Sequence, residues 1–175
     1  MIKWGAVIIG IIFLFALFSF GRSIYTDWLW YDALGFSTVL VKILTTRIVL
    51  FFVGALAFAV LFSVSLYFGN RLSSGPVTLP LPPEMADLFR RAVVWGSAAV
   101  VLVASVIFGS MVASRWELFL RFTNAVPFGE TDPVFNKDIS FYIFSLPTYS
   151  FLQGWLLGAG IIILLGTLAL TFANY

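Results

Sequence analysis

Four long stretches of this chain carry no charged residue: Trp4 to Gly21, Ile48 to Asn70, Ala92 to Ser114, and Ile139 to Tyr175. Each is continuously apolar. A strand of a membrane barrel would alternate polar and apolar positions instead. A helix needs roughly 20 apolar residues, at 1.5 Å rise each, to cross about 30 Å of hydrocarbon. The pattern therefore predicts an all-α fold: a polytopic transmembrane helix bundle of about four spans, near 4–21, 48–70, 92–113 and 148–173. The whole of 1–175 reads as a single transmembrane region. The first run is long for the core of a cleaved signal peptide, and "SFGRSIY" is a poor cleavage site, so it reads as an uncleaved anchor.

The polar segments between the runs predict the rest. "GRSIYTDWLWYDALGFSTVLVKILTTR" carries Asp27, Asp32 and the aromatic group Trp28, Trp30 and Tyr31. Trp and Tyr favour the headgroup level. The segment reads as an interfacial turn or short helix bearing an aromatic belt, with the second span starting near Ser37. "SSGPVTLPLPP" reads as extended chain, because its prolines deny backbone donors. "PPEMADLFRR" starts a helix at Pro83. "RWELFLRF" suits either a helix lying in the interface plane or the wet end of the third span. "PFGETDP" is turn chemistry.

Composition fixes the solvent. Hydrophobic residues make up 61% of the chain and charged residues 10%. Soluble domains average about 25% charged, so a water-soluble fold of this size could not cover its apolar surface. In lipid the backbone must satisfy its own hydrogen bonds, which a helix does. The net charge of +2, spread along the chain, gives no reason to expect nucleic acid as a partner. With no cysteine and no histidine, thiolate clusters, imidazole-ligated metals and histidine-based triads have no ligands here. No cofactor is expected, and an enzyme is not.

The chemistry that remains lies in "DPVFNKDISFYIF". Asp132, Asn136, Lys137 and Asp138 form a polar cluster before an apolar run. Two carboxylates, an amide and loop carbonyls could hold a hard cation. The spacing lacks the calcium-loop glycine and terminal glutamate, however, and Asp138 as a helix N-cap with Asp132 closing a turn before Pro133 explains the same residues. Small residues spaced by four recur in the spans, at Ala55 and Ala59, Ser105 and Gly109, and Gly154 and Gly158. They suit close helix approach, within the protein or against a neighbour. No charge lies deep in a span, which counts against a pump or coupled transporter working within these helices. Membrane lipids and other transmembrane helices or subunits are the expected partners.

Three stretches together, "TDWLWYDALGFSTVLVKILTTRIVLF", the proline-bearing loop and "VPFGETDPVFNKDISFYIFSLPTYSFLQGWLLG", resemble the N-terminal region of uncharacterised protein family 0182. These are large multi-pass membrane proteins of many bacteria. The resemblance runs in order over most of the chain. It implies a bundle of about seven spans before a large domain outside the membrane, a cytoplasmic N-terminus in a bacterial inner membrane, and outward-facing "DWLWYD" and "DPVFNKD". Counting basic residues does not choose that orientation: Lys3, Arg71, Arg90 and Arg91 would lie inside, against Arg22, Lys42, Arg47, Arg115, Arg121 and Lys137 outside. The family has no established catalytic residues, so none is carried over. The stop at "TFANY", inside an apolar run, suggests a longer protein or a shortened relative acting in a complex. The leading expectation is a structural or accessory subunit of a membrane assembly. A transporter or channel component, with the outward loops as a vestibule, is the alternative.

Overall fold

The computed structural model describes residues 2–72 and 83–173. The elements are helices: α1 (Ile2–Ala33), α2 (Ser37–Leu72), α3 (Pro83–Ser114), α4 (Trp116–Thr123), one π-helical turn (Phe141–Ser145) and α5 (Leu146–Ala173), with a non-helical loop over 124–138. Among the described residues, three stretches are long and apolar enough to cross a membrane, Ser37–Gly69, Arg91–Ser114 and Phe141–Ala169. They contain or largely contain the second, third and fourth expected spans. The first, 4–21, falls within α1, where many side chains lie outside the described residues. The expected extended stretch at 73–82 also lies outside them.

The chain divides into two compact units, Met1–Thr46 and Arg47–Tyr175. In the first, the tract expected as an interfacial turn or short helix is instead the unbroken last part of α1, which runs to Ala33. Nothing between Gly21 and Gly35 is a helix breaker, so the helix continues until a glycine can end it. Gly35, at φ 75°, supplies the left-handed residue. Its N–H donates to Asp32 O (3.0 Å) and the Phe36 N–H donates to Tyr31 O (2.8 Å), the paired bonds of a Schellman cap. Ser37 then begins α2, where expected.

In the second unit, α2, α3 and α5 pack through aromatic rings. Phe58 and Phe108 stack with centroids 4.2 Å apart, Phe62 meets Phe58 edge-on at 5.8 Å, and Trp155 meets Phe108 edge-on at 5.7 Å. Phe58, Phe62 and Ala159 are essentially fully buried. Between lipid-embedded helices the hydrophobic effect gives no drive to associate, because acyl chains are as apolar as leucine. Close packing and hydrogen bonds must do it. The closest approach of α2 and α3 is at glycine: a Cβ on Gly109 would lie 2.7 Å from Phe51 O and 2.8 Å from Ala55 Cβ, and one on Gly54 would lie 2.7 Å from Val112 Cγ2.

Polar groups in this core are all partnered. The Trp155 indole donates to Phe108 O (3.1 Å), the Ser105 hydroxyl to Val101 O (2.6 Å), and Ser65 and Thr167 share a 2.9 Å hydroxyl pair. No buried side-chain nitrogen or oxygen among the described residues lacks a partner. Outside this core, leucines such as Leu102, Leu157 and Leu164 are 60–65% exposed. Such surface is costly in water and is ordinary against lipid.

Candidate functional site

The polar loop between α4 and α5 is the only tract of the second unit whose side chains build a structure of their own, among the described residues. Its entrance is α4, a separate helix set off from α3 by a break at Arg115 (φ −101°, ψ 23°). The apolar side of α4 packs on α5, with Phe119 against Phe151 at 6.1 Å and Phe122 against Tyr149 at 5.6 Å. The Thr148 hydroxyl, buried, donates to Leu118 O at 3.2 Å. Its outer side carries the exposed pair Glu117–Arg121 at 3.3 Å. The loop's exit is the π turn, in which the Leu146 N–H reaches back five residues to Phe141 O. Pro147 explains it: without an N–H it leaves a carbonyl of the preceding turn without its α-helical donor, and a wider turn absorbs the defect.

Between these, residues 130–139 close on themselves. Asp132 N donates to Lys137 O (2.8 Å), Asn136 N to Asp132 O (2.9 Å) and Ile139 N to Glu130 O (3.0 Å). One Asp132 carboxylate oxygen accepts from Phe135 N (2.8 Å) and from the Tyr142 hydroxyl (3.1 Å). Asn136 takes φ 53°, a left-handed turn that asparagine tolerates better than most residues. The Asp138 carboxylate accepts three backbone donors: Phe128 N (3.1 Å), Gly129 N (2.9 Å) and Ser140 N (2.8 Å). Lys137 Nζ lies 5.9 Å from the Phe141 ring centroid, over its face.

The four candidate residues are thus brought together, and both carboxylates point at N–H and O–H donors of the loop itself. The arrangement is a double clasp: Asp138 ties the entry segment at Phe128 and Gly129 to the start of the π turn, and Asp132 ties the turn tip to Tyr142. No group of three or more metal-ligating side chains forms among the described residues. Hydrogen bonds from the Ser140 hydroxyl and N–H, then from Phe128 and Gly129, hold the Asp138 carboxyl down from 3.8 to about 2, against a partial desolvation.

A depressed carboxylate stabilises the fold above its unfolded pKa and loses that contribution as pH falls through the folded one. Thermal stability of the loop is therefore expected to be level down to about pH 4 and to decline from there to about pH 2. In Asp138→Asn this decline should flatten and the loop should be weaker at neutral pH, read as hydrogen exchange at Phe128, Gly129 and Ser140. An unchanged pH profile in the variant would contradict the clasp.

The remaining candidates lie on other elements of the chain. Trp28, Trp30 and Tyr31 lie on the last turns of α1, with Trp30 and Tyr31 edge-on at 5.1 Å and Trp30 61% exposed. Ala55 and Gly109 meet at the α2–α3 approach. Ala59 and Ser105 line a groove between the same helices, of about 670 Å³. A Cβ on Gly154 or Gly158 would meet nothing within 4 Å, so that face of α5 is open. Residues that the sequence reading passed over include Tyr142, Thr148, Trp155 and Gly54. Only Gly54, beside Ala55, carried a signal at sequence level.

The family model described as "Uncharacterised protein family (UPF0182)" matches residues 4–175. The chain belongs to UPF0182. Among similar relatives are a UPF0182 protein of Salinispora tropica, 37% identical over 95% of this chain and 17% of the relative, and one of Streptomyces coelicolor, 33% identical over 83% and 15%. A UPF0182 protein of Paenarthrobacter aurescens is 37% identical over 83% and 15%. The chain thus spans about one-sixth of the length of the UPF0182 relatives it matches. No solved structure matches it. The clasped loop and the α2–α3–α5 core both lie within the region matched to UPF0182.

Proposed function

We propose that this UPF0182 segment is a structural membrane module, a helix bundle that packs against further membrane helices in a larger assembly and carries no reaction of its own. The observation that carries the reading is where its polar chemistry goes. Indole and hydroxyl groups of the core bond to backbone carbonyls or to each other, and the two acids of the loop bond to its own donors. All are engaged in fixing shape. The open Gly154–Gly158 face of α5 adds a surface that small residues leave free for a close-packed helix. The proposed setting is a bacterial cell membrane with the N-terminus in the cytoplasm, as the resemblance of the sequence to this family implies.

The test places a photo-crosslinking residue at Leu157, beside the open glycines, in the full-length protein in its own membrane. Adducts to a protein segment, from the same polypeptide or another, are expected. Adducts to lipid alone would contradict the packing role.

A further inference from the structure

The second unit holds a cation whose chemistry the packing does not absorb. Arg47 begins the unit's share of α2, immediately before the charge-free run that starts at Ile48. Its guanidinium carbon lies 5.2 Å from the centroid of the Trp116 ring, over its face. Trp116 begins α4, one residue beyond the end of α3. This contact sets a level. The charge-free part of the α2 span, from Ile48 to Gly69, rises about 33 Å, and the 24 residues Arg91–Ser114 rise about 36 Å, each close to the thickness of a bilayer's hydrocarbon. Arg47 and Trp116 thus mark one boundary of that slab on two helices at once, where an arginine and a tryptophan both belong.

The ring offers the guanidinium no hydrogen-bond acceptor, and among the described residues none of its five N–H donors is hydrogen-bonded. Among the described residues of the second unit no carboxylate lies within ion-pairing distance of Arg47 or Arg115. The ion pair present at this end is Glu117–Arg121, and Asp132 and Asp138 are held by loop donors. Arg47 is exposed, and Arg115, exposed and next to Trp116 in sequence, brings a second unneutralised cation to the same boundary. The corner combines a planar donor without a partner, a second positive charge, a half-buried indole and a position at headgroup depth.

We infer that Arg47, seated over the Trp116 ring and aided by Arg115, is a binding site for the phosphodiester of an anionic phospholipid at the membrane surface. Arg matches phosphate with two parallel hydrogen bonds, and the second cation favours a headgroup with net negative charge over a zwitterionic one. The inference rests on the helices spanning a membrane, and not on the partner helix of the proposed function.

The full-length protein is reconstituted into nanodiscs of phosphatidylcholine with and without phosphatidylglycerol, and retained lipid is read by native mass spectrometry. The wild type is expected to keep phosphatidylglycerol in preference to phosphatidylcholine. Arg47→Gln should weaken that retention about tenfold or more, the loss of a charged hydrogen bond. Arg121→Gln, whose partner is Glu117, should retain it like the wild type, and inorganic phosphate should not displace it. Equal retention by Arg47→Gln overturns the site, as does displacement by inorganic phosphate. Should Arg47→Gln melt early in both lipids, Arg115→Gln decides: lost retention with unchanged melting in phosphatidylcholine supports the site, and unchanged retention overturns it. A crosslink from this corner to a protein carboxylate would assign it to a protein partner instead. Failure to enter nanodiscs at all would sink the membrane reading, which these arms keep separate from the lipid site.

Discussion

Gly109→Leu is expected to break the contact between α2 and α3, with a loss of about 3 kcal/mol or more from the helix bundle. The reason is the backbone. The first side-chain atom at this position would sit 2.7 Å from Phe51 O, and a carbonyl within a hydrogen-bonded helix cannot move aside as a side chain can. Even Gly109→Ala meets that oxygen and Ala55 Cβ, so the helices must separate along their length. Separation also loosens the Phe58–Phe108 stack, because both rings flank the crossing. The comparison is Gly154→Leu, where a Cβ meets nothing within 4 Å. Unfolding in mixed detergent micelles, followed by tryptophan fluorescence, should show early unfolding for Gly109→Leu and an isolated bundle little changed by Gly154→Leu. Equal midpoints for Gly109→Leu and wild type would contradict the close approach.

Trp155→Ala is expected to cost about 3 kcal/mol. Truncating a buried aromatic costs about 3–5 kcal/mol in a water-soluble core. Part of that cost is transfer of apolar surface from water, a contribution that lipid does not repeat. What remains here is the void beside Phe108 and Ala159, the edge-on ring contact, and the hydrogen bond to Phe108 O. Trp155→Phe keeps most of the volume and removes the donor, so it isolates the bond at about 1 kcal/mol, in line with hydrogen bonds between membrane helices. The same unfolding assay should rank wild type, Trp155→Phe and Trp155→Ala in that order. A Trp155→Phe as weak as Trp155→Ala would mean the bond outweighs the packing.

Much of this molecule was legible in the chain before its shape was known. Charge-free runs longer than a bilayer is thick locate α2, α3 and α5 because lipid tolerates no unpaired backbone and few charges. Family membership was legible too, in the order of the tryptophan-rich and acidic stretches. The course of the tract after Gly21 was not. Its aromatic and acidic residues speak of membrane depth, whereas its helix continues simply because no breaker intervenes before Gly35. The clasp was half legible: aspartates ahead of an apolar run suggest turns and caps, but Tyr142 reaching back to Asp132 depends on the π turn that Pro147 induces. Among the small-residue pairs, spacing alone gave no means to separate Ala55 and Gly109, which touch, from Gly154 and Gly158, which face open space. That distinction belongs to tertiary packing.

All of these energetics presume that the helices of the second unit cross a bilayer. The chain has no cysteine, so single cysteines report position without a background. Arg71→Cys and Met85→Cys sit toward one end of α2 and α3, and Phe135→Cys, 72% exposed on the native side chain, sits in the clasped loop at the other. Probed with a membrane-impermeant maleimide in intact cells and in inverted membrane vesicles, Phe135→Cys is expected to react from one side of the membrane only, and Arg71→Cys and Met85→Cys from the opposite side only. Labelling of all three from the same side would show that α3 does not span, and the packing energetics above would not apply.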